Sequence, residues 1–219
     1  MLKAVCFDLD GTLLDRDQSL IGVVSAQYER YSTFITCAQE QYVCRFVQLD
    51  QRGYVWKDKV YQQFIEENII QGIPWEDLLE DFVSRFSEHA VAFPSVPEVL
   101  SKLKQSGYKL GIITNGFDRL QRSNMKALQL EAYVDDIIIS ESAGLRKPDP
   151  AIFELALSNL AVRAEEAVYV GDHPVNDVEA SIRAGMKAVW KRDQHMDKPS
   201  RVNGIIDHFD ELAELIGGL

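Results

Sequence analysis

Short apolar runs alternate with helical stripes along most of this chain. The runs are Ala4–Phe7, then 110–114, 137–140, 167–170, 188–190 and a weaker one at 205–206. Each is continuously apolar rather than alternating, the pattern of strands buried on both faces. Between them, apolar residues recur at three- and four-residue intervals and boundary signals appear. Ser95 and Glu98 frame a capping box before Val99, Leu100 and Leu103, and Gly107 follows as a stop. Asp149 and then Pro150 fit an N-cap and first helical position ahead of Phe153, Leu155, Ala156 and Leu160. Further helices are predicted from around Asp118, from near Asn176 to Gly185, and over 210–216. Strands alternating with helices of this length predict right-handed crossovers and an α/β fold with a doubly wound parallel sheet.

The stretch from Arg16 to about His89 has a different texture. It lacks a strand-like run but keeps helical periodicity, and it is rich in aromatics: Tyr28, Tyr31, Phe34, Tyr42, Phe46, Tyr54, Trp56, Tyr61, Phe64 and Trp75. These features predict an all-helical insert in which most of the rings form a small core. The chain therefore divides into a core domain made of residues 1–15 and 91–219 and a helical domain of residues 16–90.

Composition narrows the function classes. The 219 residues carry a net charge of −11, which excludes a nucleic-acid polymer or an anionic membrane as partner, since both need a basic footprint. No run approaches the roughly 18–20 apolar residues of a membrane span, and the N-terminus lacks a signal-peptide pattern. The three cysteines, Cys6, Cys37 and Cys44, have no metal-ligand spacing. Sparse cysteines without an export signal predict a reduced, cytoplasmic protein with Cys6 as a small core residue. No feature speaks to oligomeric state. An anionic substrate would have to be attracted by a local site rather than by the global field.

Ligands of open α/β sheets sit at the carboxyl ends of the strands. Asp8 and Asp10 follow the first run, and Thr114, Asn115 and Gly116 end the second. Arg146 and Lys147 lie beyond the third; Gly171, Asp172 and then Asp177 follow the fourth. Singly, each has an ordinary explanation: a strand-end hydroxyl, a loop cation, a helix N-terminal charge. Together they gather carboxylates, a hydroxyl and a lysine at one edge. Two carboxylates as close as Asp8 and Asp10 repel unless a cation lies between them or one stays protonated. Such a pair suits a hard divalent metal, a carboxylate nucleophile or an acid/base partner.

In order and in strand context, Asp8-Leu9-Asp10-Gly11-Thr12, Thr114-Asn115-Gly116, Lys147 in Arg146-Lys147-Pro148, and Gly171-Asp172 with Asp177 resemble the four motifs of the haloacid dehalogenase (HAD) superfamily. The likeness is to its phosphatase-like branch, with a helical cap inserted after the first strand. It implies a Rossmann-like core and a Mg²⁺-dependent phosphatase acting on a small phosphorylated substrate. In that scheme Asp8 is the nucleophile that forms an aspartyl-phosphate. The Asp8 carboxylate, the Asp10 carbonyl and Asp172 hold Mg²⁺. Asp10 protonates the leaving oxygen and then activates water. Lys147 offsets charge on Asp8 and on the phosphoryl group, while Thr114 and backbone N–H groups near Asn115 and Gly116 bind phosphoryl oxygens. Thr12 orients the loop, and Asp177 orients Lys147 or a metal-bound water.

Three other functions share this site. A phosphosugar mutase would use the same aspartyl-phosphate. The 2-haloacid dehalogenases lack the second aspartate, so Asp10 disfavours them. A catalytically inactive binding protein would have no use for intact Asp8, Asp10, Lys147 and Asp172. Substrate choice is expected to come from the insert, whose aromatics favour a nucleotide over a sugar phosphate. His173 and Arg146 read as exposed neighbours, and Arg16, Arg45, Arg52 and Lys57 as mostly solvated helix cations.

Overall fold

The computed structural model of the chain describes residues 1–219. It contains β1 (Ala4–Phe7), then four helices, α1 (Arg16–Tyr31), α2 (Gln39–Asp50), α3 (Lys57–Glu66) and α4 (Trp75–Arg85). There follow α5 (Val96–Gln105), β2 (Lys109–Thr114), α6 (Asp118–Ala127), β3 (Asp136–Ile139), α7 (Ser140–Ala143), α8 (Pro150–Asn159) and β4 (Ala167–Gly171). A π-helical turn, Pro174–Glu179, leads into α9 (Ala180–Arg183), and β5 (Lys187–Lys191), β6 (Gly204–Ile206) and α10 (Leu212–Gly218) complete the chain. Two compact units result: Met1–Asp15 with Ala92–Leu219, and Arg16–Val91.

In the first unit all six strands join one parallel sheet in the order β3-β2-β1-β4-β5-β6. The connection from β1 leads to β2 on one side, and β4 returns to the other, so β1 lies at the point where strand order reverses. Phe7 pairs with Ile112 and with Val170, which brings the ends of β1, β2 and β4 level. The strands are buried on both faces because each face meets helices. Ala4, Cys6, Ile113, Ile138 and Tyr169 pack against Ile152, Phe153, Ala156 and Leu160 around α8. Phe7 turns the other way, its ring centroid 5.9 Å from that of Phe209. Burial pushes the Cys6 thiol up to about 12, so it serves as a small apolar residue.

Local signals were obeyed unevenly. Asp149 caps α8 through a 3.0 Å bond from the Ala151 N–H, with Pro150 in the first turn. Ser95 does precede α5, but at φ +65° and with no side-chain cap bond, so the expected capping box is absent. The helix expected from Asn176 begins as the wider π turn and becomes α-helical only at Ala180.

The second unit is helical, with one isolated bridge between Ile35 and Ile70. Its core holds Tyr42, Phe46, Tyr61, Phe64, Phe82 and Phe86. Phe46 lies 5.5 Å from Tyr61 and 5.9 Å from Phe82, centroid to centroid. Gln27, itself buried, satisfies two of these rings: its Oε1 accepts from Tyr61 at 2.7 Å and Tyr42 at 3.2 Å. The expectation that most of the ten sequence-selected aromatics are core is too broad. Four are fully buried, Phe34 and Tyr54 are exposed, and Phe82 and Phe86 complete the cluster instead. The cations of this unit are committed to carboxylates rather than simply solvated. Arg16 meets Asp50 at 2.8 Å, Lys57 meets the same buried Asp50, and Arg45 meets Glu67 at 2.9 Å.

Candidate active site

The level strand ends set side chains from distant parts of the chain side by side. Asp8 is the first residue beyond β1, and its N–H donates to the Val170 carbonyl at 2.9 Å. The chain then folds back at once. The Gly11 N–H bonds the Leu14 carbonyl at 2.9 Å, and the N–H groups of Leu13 and Leu14 bond Leu9. Gly11 takes φ +84°, and a Cβ there would collide with the Asp172 carboxylate. A glycine is thus required twice over, for the turn and for the approach of Asp172.

Lys147 is the hub. It is buried, and its Nζ reaches Asp8 Oδ1 at 2.6 Å, Asp177 Oδ1 at 2.7 Å and the Tyr169 hydroxyl at 2.9 Å. An ammonium has three N–H donors, so all of them are used. Tyr169 in turn donates to the Ile113 carbonyl at 2.9 Å. The loop carrying Lys147 is held by the Asn115 side chain, whose Nδ2 donates to the Lys147 carbonyl and whose Oδ1 accepts from its N–H, both at 3.0 Å. Asp177 is fixed at both oxygens, since Oδ2 accepts from the His173 N–H at 3.0 Å. Thr12 is buried and donates to Asp8 Oδ2 at 3.4 Å.

Asp8, Asp172 and Asp177 each offer a carboxylate oxygen within 4.8 Å of the others. Three carboxylates facing one ammonium leave two uncompensated negative charges when all are ionised. Burial raises the Asp8 carboxyl from 3.8 to about 7, with Lys147 opposing and Asp177 and Asp10 adding to the rise. Asp172 is likewise pushed well above its ordinary value, by burial first and then by Asp8 and Asp177. Burial alone would lower the Lys147 ammonium, but Asp177 and Asp8 reverse this and hold it above its usual range. The excess negative charge, the all-oxygen donor set and the short separations fit a hard divalent cation. Asp177 is the least available donor of the three, because both its oxygens accept short hydrogen bonds, at 2.7 and 3.0 Å, whereas Oδ2 of Asp8 accepts only the long 3.4 Å bond from Thr12.

Every residue singled out from the four motifs lies at this edge, though not always in the expected contact. The Gly116 N–H donates to Ser140 Oγ at 3.0 Å, and the Asp118 N–H at the start of α6 is taken by Glu141 at 2.7 Å. His173 is more than an exposed neighbour: its Nδ1 accepts from the N–H groups of Val175 and Asn176 at 3.1 Å and caps the π turn. Arg146 is exposed.

Three further residues were not foreseen. Tyr169 could have been suspected, because a tyrosine inside an apolar parallel strand needs a partner for its hydroxyl. Lys191 ends β5; its Nζ donates to the Gly11 carbonyl at 2.9 Å and lies 3.4 Å from the Phe93 ring centroid. Burial lowers its pKa, against the pull of Asp172, Asp15 and Asp193. Gln121, buried on α6, donates from Nε2 to Asp10 Oδ2 and to Thr114 Oγ1, both at 2.7 Å. Nothing local in the sequence marks residue 121.

Comparison with known proteins is consistent with this geometry. The sequence model described as haloacid dehalogenase-like hydrolase matches residues 5–191. The chain is 39% identical over 97 residues to a glyceraldehyde 3-phosphate phosphatase of Pyrococcus abyssi, covering 44% of this chain and 41% of that protein. It is 32% identical over 138 residues to a phosphoserine phosphatase of Thermus thermophilus, covering 62% and 54% respectively. The chain thus spans about half the length of the curated relatives it matches. Among solved structures, the HAD phosphatase from Thermococcus onnurineus is 29% identical with a TM-score of 0.72, covering 99% of both chains.

Proposed function

The chain belongs to the haloacid dehalogenase-like hydrolases, and from that premise we propose that it is a Mg²⁺-dependent phosphatase of small phosphomonoesters. The carrying observation is the division of labour between the two aspartates of the first motif. Asp8 is bonded to Lys147 and faces the acidic cluster, while Asp10 is bonded to a different partner, Gln121. A nucleophile and a separate acid/base two residues apart are what ester hydrolysis through a covalent intermediate needs. A carbon–halogen substrate would give Asp10 nothing to protonate.

Asp8 attacks phosphorus as the ester P–O bond breaks, and the departing oxygen takes a proton from Asp10. Asp10, now a carboxylate, accepts a proton from water as that water attacks phosphorus. The Asp8–phosphorus bond breaks and inorganic phosphate leaves. Lys147, held on the far side by Asp177 and Tyr169, keeps its ammonium charge against Asp8 throughout. Thr114 donates to a phosphoryl oxygen in this reading. The Asp8 and Asp172 carboxylates and the Asp10 carbonyl would hold the divalent cation, which neutralises charge between carboxylates and phosphate when bound.

Names of relatives support the substrate class at its coarser level, since the two quoted are phosphatases of small phosphorylated metabolites. The test is phosphate release from p-nitrophenyl phosphate and a panel of phosphorylated metabolites and nucleotides. Activity with Mg²⁺ that is lost in excess EDTA and restored by Mg²⁺ is expected. Unchanged rates in EDTA, or no release from any ester, would contradict the proposal.

A further inference from the structure

Gln121 touches two groups of the site and belongs to none of its motifs. Its side chain is buried at 2% exposure, and its two amide N–H groups point to Asp10 Oδ2 and Thr114 Oγ1, each 2.7 Å away. The approach depends on Gly116, where a Cβ would stand 2.9 Å from Gln121 Cγ. Evidently the chain leaves out a side chain at the end of β2 to admit this amide.

An amide nitrogen only donates, and this fixes the direction of every hydrogen bond it makes. The Thr114 oxygen already accepts, so its own O–H proton is left to point at another acceptor. An amide donor bonds most strongly to a carboxyl oxygen that carries no proton, so its bond to Oδ2 leaves Oδ1 as the favoured seat of a carboxyl proton on Asp10.

We propose that Gln121 is a positioning residue that sets this polarity, keeping Thr114 as a donor to a phosphoryl oxygen and reserving Oδ1 of Asp10 for proton transfer. The inference rests on the phosphatase reading above. As the ester P–O bond breaks and the Asp8–phosphorus bond forms, the electron pair passes to the leaving oxygen. That oxygen takes the proton from Asp10 Oδ1. The Gln121 amide meanwhile stays on Oδ2 and stabilises the carboxylate that results.

The prediction concerns the leaving group. Phenol, with a pKa of about 10 like tyrosine, leaves poorly without a proton, whereas p-nitrophenolate leaves readily. A merely structural role would lower both rates together. In Gln121→Met, which keeps the volume and loses the donors, kcat/KM for phenyl phosphate should fall at least about 10-fold more than for p-nitrophenyl phosphate. Should that variant not fold, Gln121→Leu removes the same donors without placing a charge beside Asp10, and the same change in ratio is expected. An unchanged ratio in a folded variant, with the wild type active on both esters, overturns the role of Gln121 and leaves the phosphatase reading standing. A wild-type protein inactive on both esters overturns the reading and the inference with it.

Discussion

Lys147 commits each of its three protons to a buried partner, so no conservative replacement keeps the arrangement. Lys147→Met should lower phosphate release by at least about 100-fold, the scale of losing one preorganised charged donor. A steady-state assay, with circular dichroism to establish that the variant is folded, checks this expectation. The visible and the hidden residues differ for a physical reason. Asp8, Asp172 and Lys147 follow apolar strands directly or by one loop, and the carboxyl edge of a parallel sheet is where chemistry collects. Gln121 and Tyr169 sit within regular elements, where glutamine and tyrosine are ordinary. Nothing in one dimension ties residue 121 to residue 10; only the pairing of β1 with β2 brings them together.

Elements carry their own consequences. Two glycines at strand ends act as seats: Gly116 admits Gln121, and Gly171 ends β4 where a Cβ would collide with Asp177. Gly116→Ala should therefore reproduce the leaving-group effect of Gln121→Met without removing any polar group, as the same pair of phenyl esters can show. In the helical unit, Asp50 is buried at 1% exposure beneath Arg16 and Lys57 and also accepts from the Gly53 N–H at 2.8 Å. Removing one partner of a buried ion cluster costs about 3–5 kcal/mol. Urea unfolding of Asp50→Ala should show a loss of that order, with no such loss for Glu165→Ala on the surface. The strands were legible because burial on both faces makes them continuously apolar, and α8 because Asp149 and Pro150 act locally. Ser95 misled because its αL backbone conformation, set by tertiary context, overrides the capping pattern. Which insert rings are buried depends on how four helices pack, and spacing alone does not encode that.

For the whole molecule, a net charge of −11 and an acidic site pull the same way in the absence of a cation. Asp8 titrates at about 7 in the folded chain against 3.8 for an ordinary aspartate, so between these values the folded state binds more protons than the unfolded state. Stability of the metal-free protein should accordingly fall as pH rises from about 4 to about 7, then level off. Mg²⁺ needs the deprotonated carboxylates, so its stabilising effect should grow over the same interval. Thermal unfolding midpoints at pH 5 and pH 8, with and without Mg²⁺, test this: the Mg²⁺-induced rise should be larger at pH 8. No helix is long and apolar enough to cross a membrane.

The central claim is that Asp8 carries the phosphoryl group. Its most direct test is an acid quench of the protein during turnover of p-nitrophenyl phosphate with Mg²⁺, followed by mass spectrometry of the peptide containing residues 4–16. A base-labile phosphoryl group on Asp8 is predicted, absent in Asp8→Asn along with turnover. Undiminished turnover by Asp8→Asn, or a phosphoryl group trapped on any other residue, would contradict the account.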